Sequence, residues 1–256
     1  ILILILRMIE SQLYKNSNLI IALAKGSINY IKRYGGTSVI WLPNGPDLNL
    51  FNLLPTKSDA NKVFNSKNPF KILYAGAHGI ANGLENIIES ASLLQKTPVN
   101  FIFLGDGSEK SKLIEMASKL RNIIFLSPIP KEKIPIKFFE ADAILISLKK
   151  VPLFSYGISP NKLYDAYASA KPVITTVDGD INNEVKANNL GIAVPSQNPI
   201  LLAKEIKRLI KKPPSELFQM GSRGRELAEK VYSRDLIVMR LNNHLIQIHE
   251  KLWVNL

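Results

Sequence analysis

The segment 159–165 carries residue types that could bind a phosphorylated ligand. Ser159 and Pro160 are typical of a helix start, with Ser159 as the capping residue, and free backbone N–H groups there favour an anion. Lys162 falls in the first turn, where a cation is unfavourable unless an anion docks beside it. Asp165 follows one turn later and could accept hydrogen bonds from sugar hydroxyls. The alternative is an ordinary capped helix of an α/β domain.

Alternating strands and helices surround this segment. Continuous apolar runs such as 101–104 and 144–146 are typical of parallel strands buried on both faces. The pattern predicts strands over 71–75, 99–104, 123–126, 143–148 and 173–177, and helices over 84–94, 109–120, 133–139 and 159–170. This order predicts an α/β protein with a Rossmann-like, doubly wound parallel sheet.

The ligand site of such a sheet lies outside the carboxyl ends of its strands. Glycine and proline in those loops let the backbone approach a ligand closely. The candidate binding residues there are Gly76, His78, Gly79, Asn82, Gly105, Gly107, Pro128 and Ile129. For His78, ligand contact and a solvated loop position both remain open. Gly105 and Gly107 lack the third glycine of a dinucleotide fingerprint, which disfavours a nicotinamide-binding domain.

Composition limits the partners. The 256 residues contain no cysteine, which excludes disulfides, thiolate metal sites and cysteine nucleophiles. The net charge of +12 favours nucleic acid, anionic lipid headgroups or phosphorylated small molecules. The densest basic cluster, 204–212, alternates with apolar residues at helical spacing, which indicates a solvated helix face rather than a nucleic-acid stripe. No apolar run approaches the roughly 18 residues of a membrane-spanning helix.

Six segments, taken in order, resemble the C-terminal, nucleotide-sugar-binding half of a family-4 glycosyltransferase of the GT-B fold. They are LPNGPDLNLF (42–51), ILYAGAHGIANGLENIIESASLL (72–94), FIFLGDGSEKSKL (101–113), FLSPIPKEKIP (125–135), ADAILISL (141–148) and SPNKLYDAYASAKPVI (159–174). The chain most resembles the bacterial N-acetylfucosamine-type transferases of surface-polysaccharide synthesis.

The resemblance implies a retaining transferase that moves an N-acetylated deoxyhexosamine from a UDP-sugar to a lipid-linked or oligosaccharide acceptor. It implies no metal and no nucleic-acid partner. Lys162 would be catalytic by stabilising the departing diphosphate, and Asp165 would bind the ribose. The implied donor-binding positions are the loop residues named above together with Ser159, Pro160, Asn161, Lys162 and Asp165. The basic surface suits a cytoplasmic enzyme, peripheral on the anionic inner face of the plasma membrane.

Several positions depart from the family pattern. Gly157 stands where many members have a glutamate that contacts the donor sugar, and Ala77 and Asn82 replace an arginine and a lysine that face the pyrophosphate. Glu184 could reach sugar hydroxyls or lie at a helix start. The segment 178–180 is predicted to be a turn rather than a metal-binding motif.

The resemblance also divides the chain. Residues 1–44 would be a remnant of the N-terminal acceptor domain, 45–70 a hinge, 71–232 the nucleotide-sugar-binding domain and 233–256 a helix crossing back. We expect exposed apolar surface at 1–6 and on the helix at 236–252. We also expect nucleotide binding without sugar transfer, because 1–44 are too few residues to form an acceptor domain. The alternative is a non-catalytic nucleotide-binding α/β module or an inactive fragment.

Overall fold

The main sheet is parallel throughout, and the loops predicted to bind a ligand follow the carboxyl ends of its strands. The computed structural model describes residues 1–52, 54, 56, 60, 64, 68–152, 154 and 157–254, without the side chains of 251–254. Its strands are β3 (Phe70–Ala75), β4 (Val99–Leu104), β5 (Ile123–Leu126), β6 (Ala143–Ser147), β7 (Val173–Thr176) and β8 (Gly191–Ala193). They lie in the order β5-β4-β3-β6-β7-β8. This order confirms the predicted doubly wound sheet, and its direction reverses between β3 and β6.

A smaller parallel pair precedes this sheet. It consists of β1 (Ile20–Ala22) and β2 (Val39–Trp41). The described α-helices are α1 (Leu2–Lys15), α2 (Ser27–Arg33), α3 (Leu84–Ser92), α4 (Lys110–Met116), α5 (Ile134–Glu140), α6 (Asn161–Ala168), α7 (Asp180–Ala187), α8 (Pro199–Leu209), α9 (Pro214–Lys230) and α10 (Arg234–Val254). The predicted hinge at 45–70 falls partly outside the described residues.

The strands are apolar on both faces because helices cover both sides of the sheet. Along β3, Ile72 and Tyr74 pack into one hydrophobic cluster, and Leu73 points into the other. The first cluster includes the buried face of α3, and the second includes the buried face of α6. Unbroken apolar runs therefore predicted these strands correctly.

The N-terminal helix α1 differs from the others. It buries no side chain, and the large apolar residues between Ile1 and Met8 are 47–99% exposed. Val238, Met239 and Leu245 on α10 are also exposed. The apolar surface expected at both places is therefore confirmed, although α1 itself was not predicted as a helix. Among the described residues, no helix combines the length and apolar content needed to cross a bilayer.

Candidate functional site

The ammonium group of Lys162 lies at the point where the strand order reverses. The loop 76–82 follows β3, and α6 begins beyond the neighbouring strand β6. Lys162 Nζ donates hydrogen bonds to Asn82 Oδ1 at 2.6 Å and to the Tyr74 hydroxyl at 3.2 Å. It also lies 4.7 Å from the centroid of the Tyr74 ring. Burial lowers the pKa of Lys162 to about 8. A desolvated cation at this position gains more from an anionic ligand than a hydrated one would.

The loop that receives Lys162 is held in place by further hydrogen bonds. Asn82 Nδ2 and the Tyr74 hydroxyl both donate to the carbonyl oxygen of Ala77, at 2.9 and 2.7 Å. Ser147 Oγ, at the end of β6, donates to the carbonyl oxygen of Asn82 at 2.8 Å. The two neighbouring strand ends are therefore joined, and Asn82 is oriented towards the lysine.

The start of α6 differs from its predicted capping. Pro160 is the N-cap residue and no side chain caps this helix, so the prediction of Ser159 as the cap was wrong. Ser159 Oγ instead accepts a hydrogen bond from Asn44 N at 2.9 Å, and Asn44 Nδ2 donates to the carbonyl oxygen of Ser159 at 2.7 Å. The Tyr164 hydroxyl lies 2.8 Å from Ser159 Oγ. The first-turn N–H groups at Asn161 and Lys162 are thus not occupied by a side-chain cap.

Sequence reasoning missed the part played by Asn44. Its two hydrogen bonds to Ser159 span 115 positions of the chain. The only local signal was the turn that contains Pro43 and Gly45.

Close backbone packing explains the glycines beside Lys162. Gly76 and Gly105 have φ values of +154° and +147°, a region that favours glycine. A Cβ atom at Gly105 would lie 2.0 Å from the carbonyl oxygen of Gly76. A Cβ at Gly107 would lie 2.6 Å from the carbonyl oxygen of His78. Gly79 precedes the 3₁₀ turn at 80–82. The loops after β3 and β4 therefore form one continuous backbone surface.

His78 joins these loops from the inside. Its side chain is 0% exposed and packs among the rings of Tyr74, Phe103 and Phe125. Its backbone N–H donates to the carbonyl oxygen of Asp106 at 2.7 Å. Burial lowers the pKa of the imidazole. In contrast to both predictions for His78, the imidazole is not solvated and offers no surface to a ligand.

Asp165 is a partly buried carboxylate on α6. Burial raises its pKa to about 6, while the charges of Lys131 and Arg234 oppose that rise. Asp165 lies one turn after Lys162, as predicted.

Pro128 and Ile129 follow β5, which is separated from β3 by β4. Pro128 is exposed and Ile129 packs against the second hydrophobic cluster.

The structure bears on the positions Gly157 and Glu184, for which the sequence left the contact with a sugar open. Gly157 has φ +87°, a conformation that strains a residue with a side chain, and a Cβ there would make a tight contact of 3.0 Å with Ala24 Cβ. Glu184 accepts a hydrogen bond from the Tyr167 hydroxyl at 2.8 Å and another from the Tyr232 hydroxyl. It lies in the second turn of α7, which Asp180 opens. The predicted turn at 178–180 therefore leads directly into a helix.

The described side chains offer no group of three or more carboxylates and imidazoles that could hold a metal ion. The expectation that no metal is required remains a prediction.

Comparison with protein families assigns the chain to one of them. The family described as glycosyl transferases group 1 matches residues 56–227. Because this match covers more than half of the chain, the chain belongs to that family.

Two curated relatives are bacterial proteins. The probable glycosyltransferase WbjE of Pseudomonas aeruginosa is 24% identical over 167 residues, which cover 62% of this chain and 40% of WbjE. The putative colanic acid biosynthesis glycosyl transferase WcaI of Escherichia coli K12 is 29% identical over 152 residues, covering 57% of this chain and 37% of WcaI. The chain therefore spans about two fifths of the length of these relatives.

Solved structures share the fold. Anabaena Alr3699/HepE, crystallised with UDP and glucose, has a TM-score of 0.74 at 19% identity, covering 94% of this chain and 66% of HepE. The C-terminal domain of the group 1 protein LpcC from Francisella tularensis has a TM-score of 0.57 at 21% identity. That match covers 74% of this chain and all of the LpcC domain. At such identities the likeness establishes the GT-B-type fold alone.

Proposed function

We propose that this chain is the donor-binding half of a retaining glycosyltransferase that takes its sugar from a UDP-sugar. The observation that carries the proposal is the half-buried Lys162 at the strand reversal, its ammonium hydrogen-bonded to Asn82, beside the start of α6 that no side chain caps. A diphosphate placed there meets a cation and free backbone N–H groups together. HepE, which shares the fold, was crystallised with UDP and glucose.

The chemistry follows from stabilisation of the leaving group. Negative charge develops on the diphosphate as the bond to the sugar breaks, and Lys162 and the first-turn amides lie in fixed positions to receive it. No protein nucleophile is needed. Asn82, which replaces the family's lysine, orients Lys162 instead of adding a second charge. Asp165 would accept hydrogen bonds from the ribose hydroxyls.

The donor-sugar class rests on the sequence resemblance alone, whereas the acceptor class and the membrane position have support from a relative's name and from surface charge. We propose an N-acetylated deoxyhexosamine as the donor sugar and a lipid-linked or oligosaccharide acceptor in surface-polysaccharide synthesis. WcaI is named for colanic acid biosynthesis, which supports that acceptor class. The net charge of +12 and the exposed apolar residues of α1 support a peripheral position on an anionic membrane face. We further propose that 1–44 belong to an acceptor domain and that 71–232 form the donor domain.

Calorimetry with UDP and UMP tests the phosphate site. UDP should bind more tightly than UMP, and Lys162→Met should weaken UDP by roughly 1.5–3 kcal/mol, the scale of a hydrogen bond to a charged group. Lys171→Met is the control, because desolvation lowers the pKa of Lys171 to about 8 as well, although Lys171 is fully buried and Lys162 half-buried. Lys171 precedes β7 and so lies at the amino ends of the strands, on the opposite side of the sheet from the candidate site. Equal affinities for UDP and UMP, or equal effects of the two substitutions, would reject the site.

A non-catalytic nucleotide-binding module is the second candidate. The observation that favours it is Gly157, which lacks the carboxylate common in the family and has a backbone conformation, φ +87°, that favours glycine. Both candidates predict UDP binding. Sugar transfer on addition of a complete acceptor domain supports the transferase, and UDP binding without transfer in that assembly supports the module.

A further inference from the structure

A cavity lies at the amino ends of β3, β4 and β6, beside the turn that joins α8 to α9. Its volume is about 450 Å³, and pockets for small organic ligands typically measure about 300–1,000 Å³. We call it the amino-edge pocket, and its described charged residues are Lys96, Asp142, Lys207, Lys211 and Lys212. We propose that the amino-edge pocket binds an anionic amphiphile, an apolar chain that carries one phosphate or carboxylate. The pocket lies on the opposite side of the sheet from the candidate diphosphate site, so this inference does not rest on the proposed function.

Lysines dominate the charge of the amino-edge pocket. Its described wall carries four lysines against one carboxylate, that of Asp142. Lys212 Nζ is paired with Glu216 Oε2 at 2.6 Å. Within the part of the chain that the structure describes, Lys207 and Lys211 have no ion-pair partner. A negative charge that enters the pocket therefore meets cations that are not already neutralised.

The carboxylate of Asp142 opposes an anion only weakly, because its charge is already compensated. Its Oδ2 accepts a hydrogen bond from the backbone N–H of Lys71 at 2.7 Å. Burial raises the pKa of Asp142, and the Lys71 N–H and the charge of Lys171 oppose that rise. Lys171 Nζ is buried, has no hydrogen-bond partner among the described residues and lies 5.2 Å from the centroid of the Phe64 ring. Because Phe64 belongs to the pocket wall, this ammonium adds to the positive potential inside the pocket.

The remainder of the wall is largely apolar, which favours a ligand with an apolar body. Its apolar members are Phe64, Phe70, Pro98, Ile210 and Leu217. All of these except Pro98 belong to the first hydrophobic cluster or pack against it, so the pocket opens onto the side of the core. Inorganic phosphate would leave that surface in contact with water, whereas an alkyl chain would cover it. Charge and apolar surface together therefore favour an amphiphile over a small inorganic anion or a neutral lipid.

Octyl phosphate, kept below its critical micelle concentration, is the probe that tests both halves of the pocket. In calorimetry with the full chain, it should bind more tightly than inorganic phosphate, which lacks the chain, and more tightly than octyl glucoside, which lacks the charge. Lys207→Met should weaken octyl phosphate about tenfold, the loss of one hydrogen bond between charged groups. Lys204→Met is the matched control, because Lys204 is also an exposed lysine of α8 and does not line the pocket.

The amphiphile can be a free molecule in solution or a lipid of a bilayer, and a vesicle arm separates these sources. If it is a bilayer lipid, the chain sediments with phosphatidylglycerol vesicles, and Lys207→Met reduces that binding more than Lys204→Met does. If it is a free molecule, octyl phosphate binding depends on Lys207 while vesicle binding responds equally to the two substitutions. The proposal is overturned if octyl phosphate binds no more tightly than octyl glucoside or inorganic phosphate. It is also overturned if Lys207→Met and Lys204→Met have the same effect on octyl phosphate.

Discussion

Raising the pH from 7 to 9 should weaken UDP binding about tenfold, because Lys162 loses its proton in the free protein. Burial lowers the pKa of Lys162 to about 8. A bound diphosphate favours the ammonium form and should return the pKa towards the ordinary value of 10.5. The group thus has a higher pKa with ligand than without it. Affinity is therefore full below about pH 8 and falls as the pH rises towards 10.5.

The magnitude follows from these two pKa values. At pH 9 about nine tenths of the free protein carries a neutral Lys162, whereas nearly all of the complex keeps the proton. Binding must then take up a proton, which costs about 1.4 kcal/mol at that pH. The corresponding loss of affinity is about tenfold. At pH 7 the lysine is charged in both states and the effect disappears.

Calorimetric titration of UDP at pH 7, 8 and 9 measures this effect. Lys162→Met is the control, because the difference between the two pH profiles removes any titration of UDP itself. Repeating the pH 9 titration in two buffers with different ionisation enthalpies should show uptake of close to one proton for the natural protein only. Parallel pH profiles for the two proteins would refute the reasoning.

Three further substitutions test the surroundings of Lys162. Asp165→Asn should weaken UDP while leaving pyrophosphate binding nearly unchanged in calorimetry; an equal loss for both ligands would exclude contact with the ribose. Gly105→Ala places a methyl group against the carbonyl of Gly76, and overpacking of about 1–3 kcal/mol should lower the melting temperature. An unchanged melting temperature would contradict the close contact. Asn44→Ala removes two hydrogen bonds to Ser159 and should weaken UDP several-fold; unchanged affinity would show that the start of α6 is held without them.

The parallel sheet was predictable because its strands are buried on both faces. The apolar run of β4, for example, predicted the bounds of that strand without error. Once the strands were placed, the rule for their carboxyl ends located the neighbourhood of Lys162. The contact between Lys162 and Asn82 was not predictable, because it depends on β3 and β6 being neighbours although β4 and β5 lie between them in the chain.

Other features escaped prediction for physical reasons. His78 lies in a glycine-containing loop, a context typical of exposed residues, but it packs against Phe103 and Phe125, which lie on strands distant in the chain. The bond between Asn44 and Ser159 joins segments that no local pattern relates. The helix α1 was not predicted, because its apolar residues run almost without interruption from Ile1 to Ile9 instead of recurring at helical spacing.

Under the proposed function, the hydrogen bond from Lys162 to Asn82 would also affect how a nucleotide leaves. A desolvated ammonium without a hydrogen-bond acceptor is high in free energy. Departure of the diphosphate would therefore be slow if no other acceptor took its place. Asn82 Oδ1 lies 2.6 Å from Lys162 Nζ and would keep the ammonium hydrogen-bonded as the phosphate departs. Under the proposed function, the amide would therefore shorten the residence time of the nucleotide product. A second cation at this position, as many family members have, would hold the product longer.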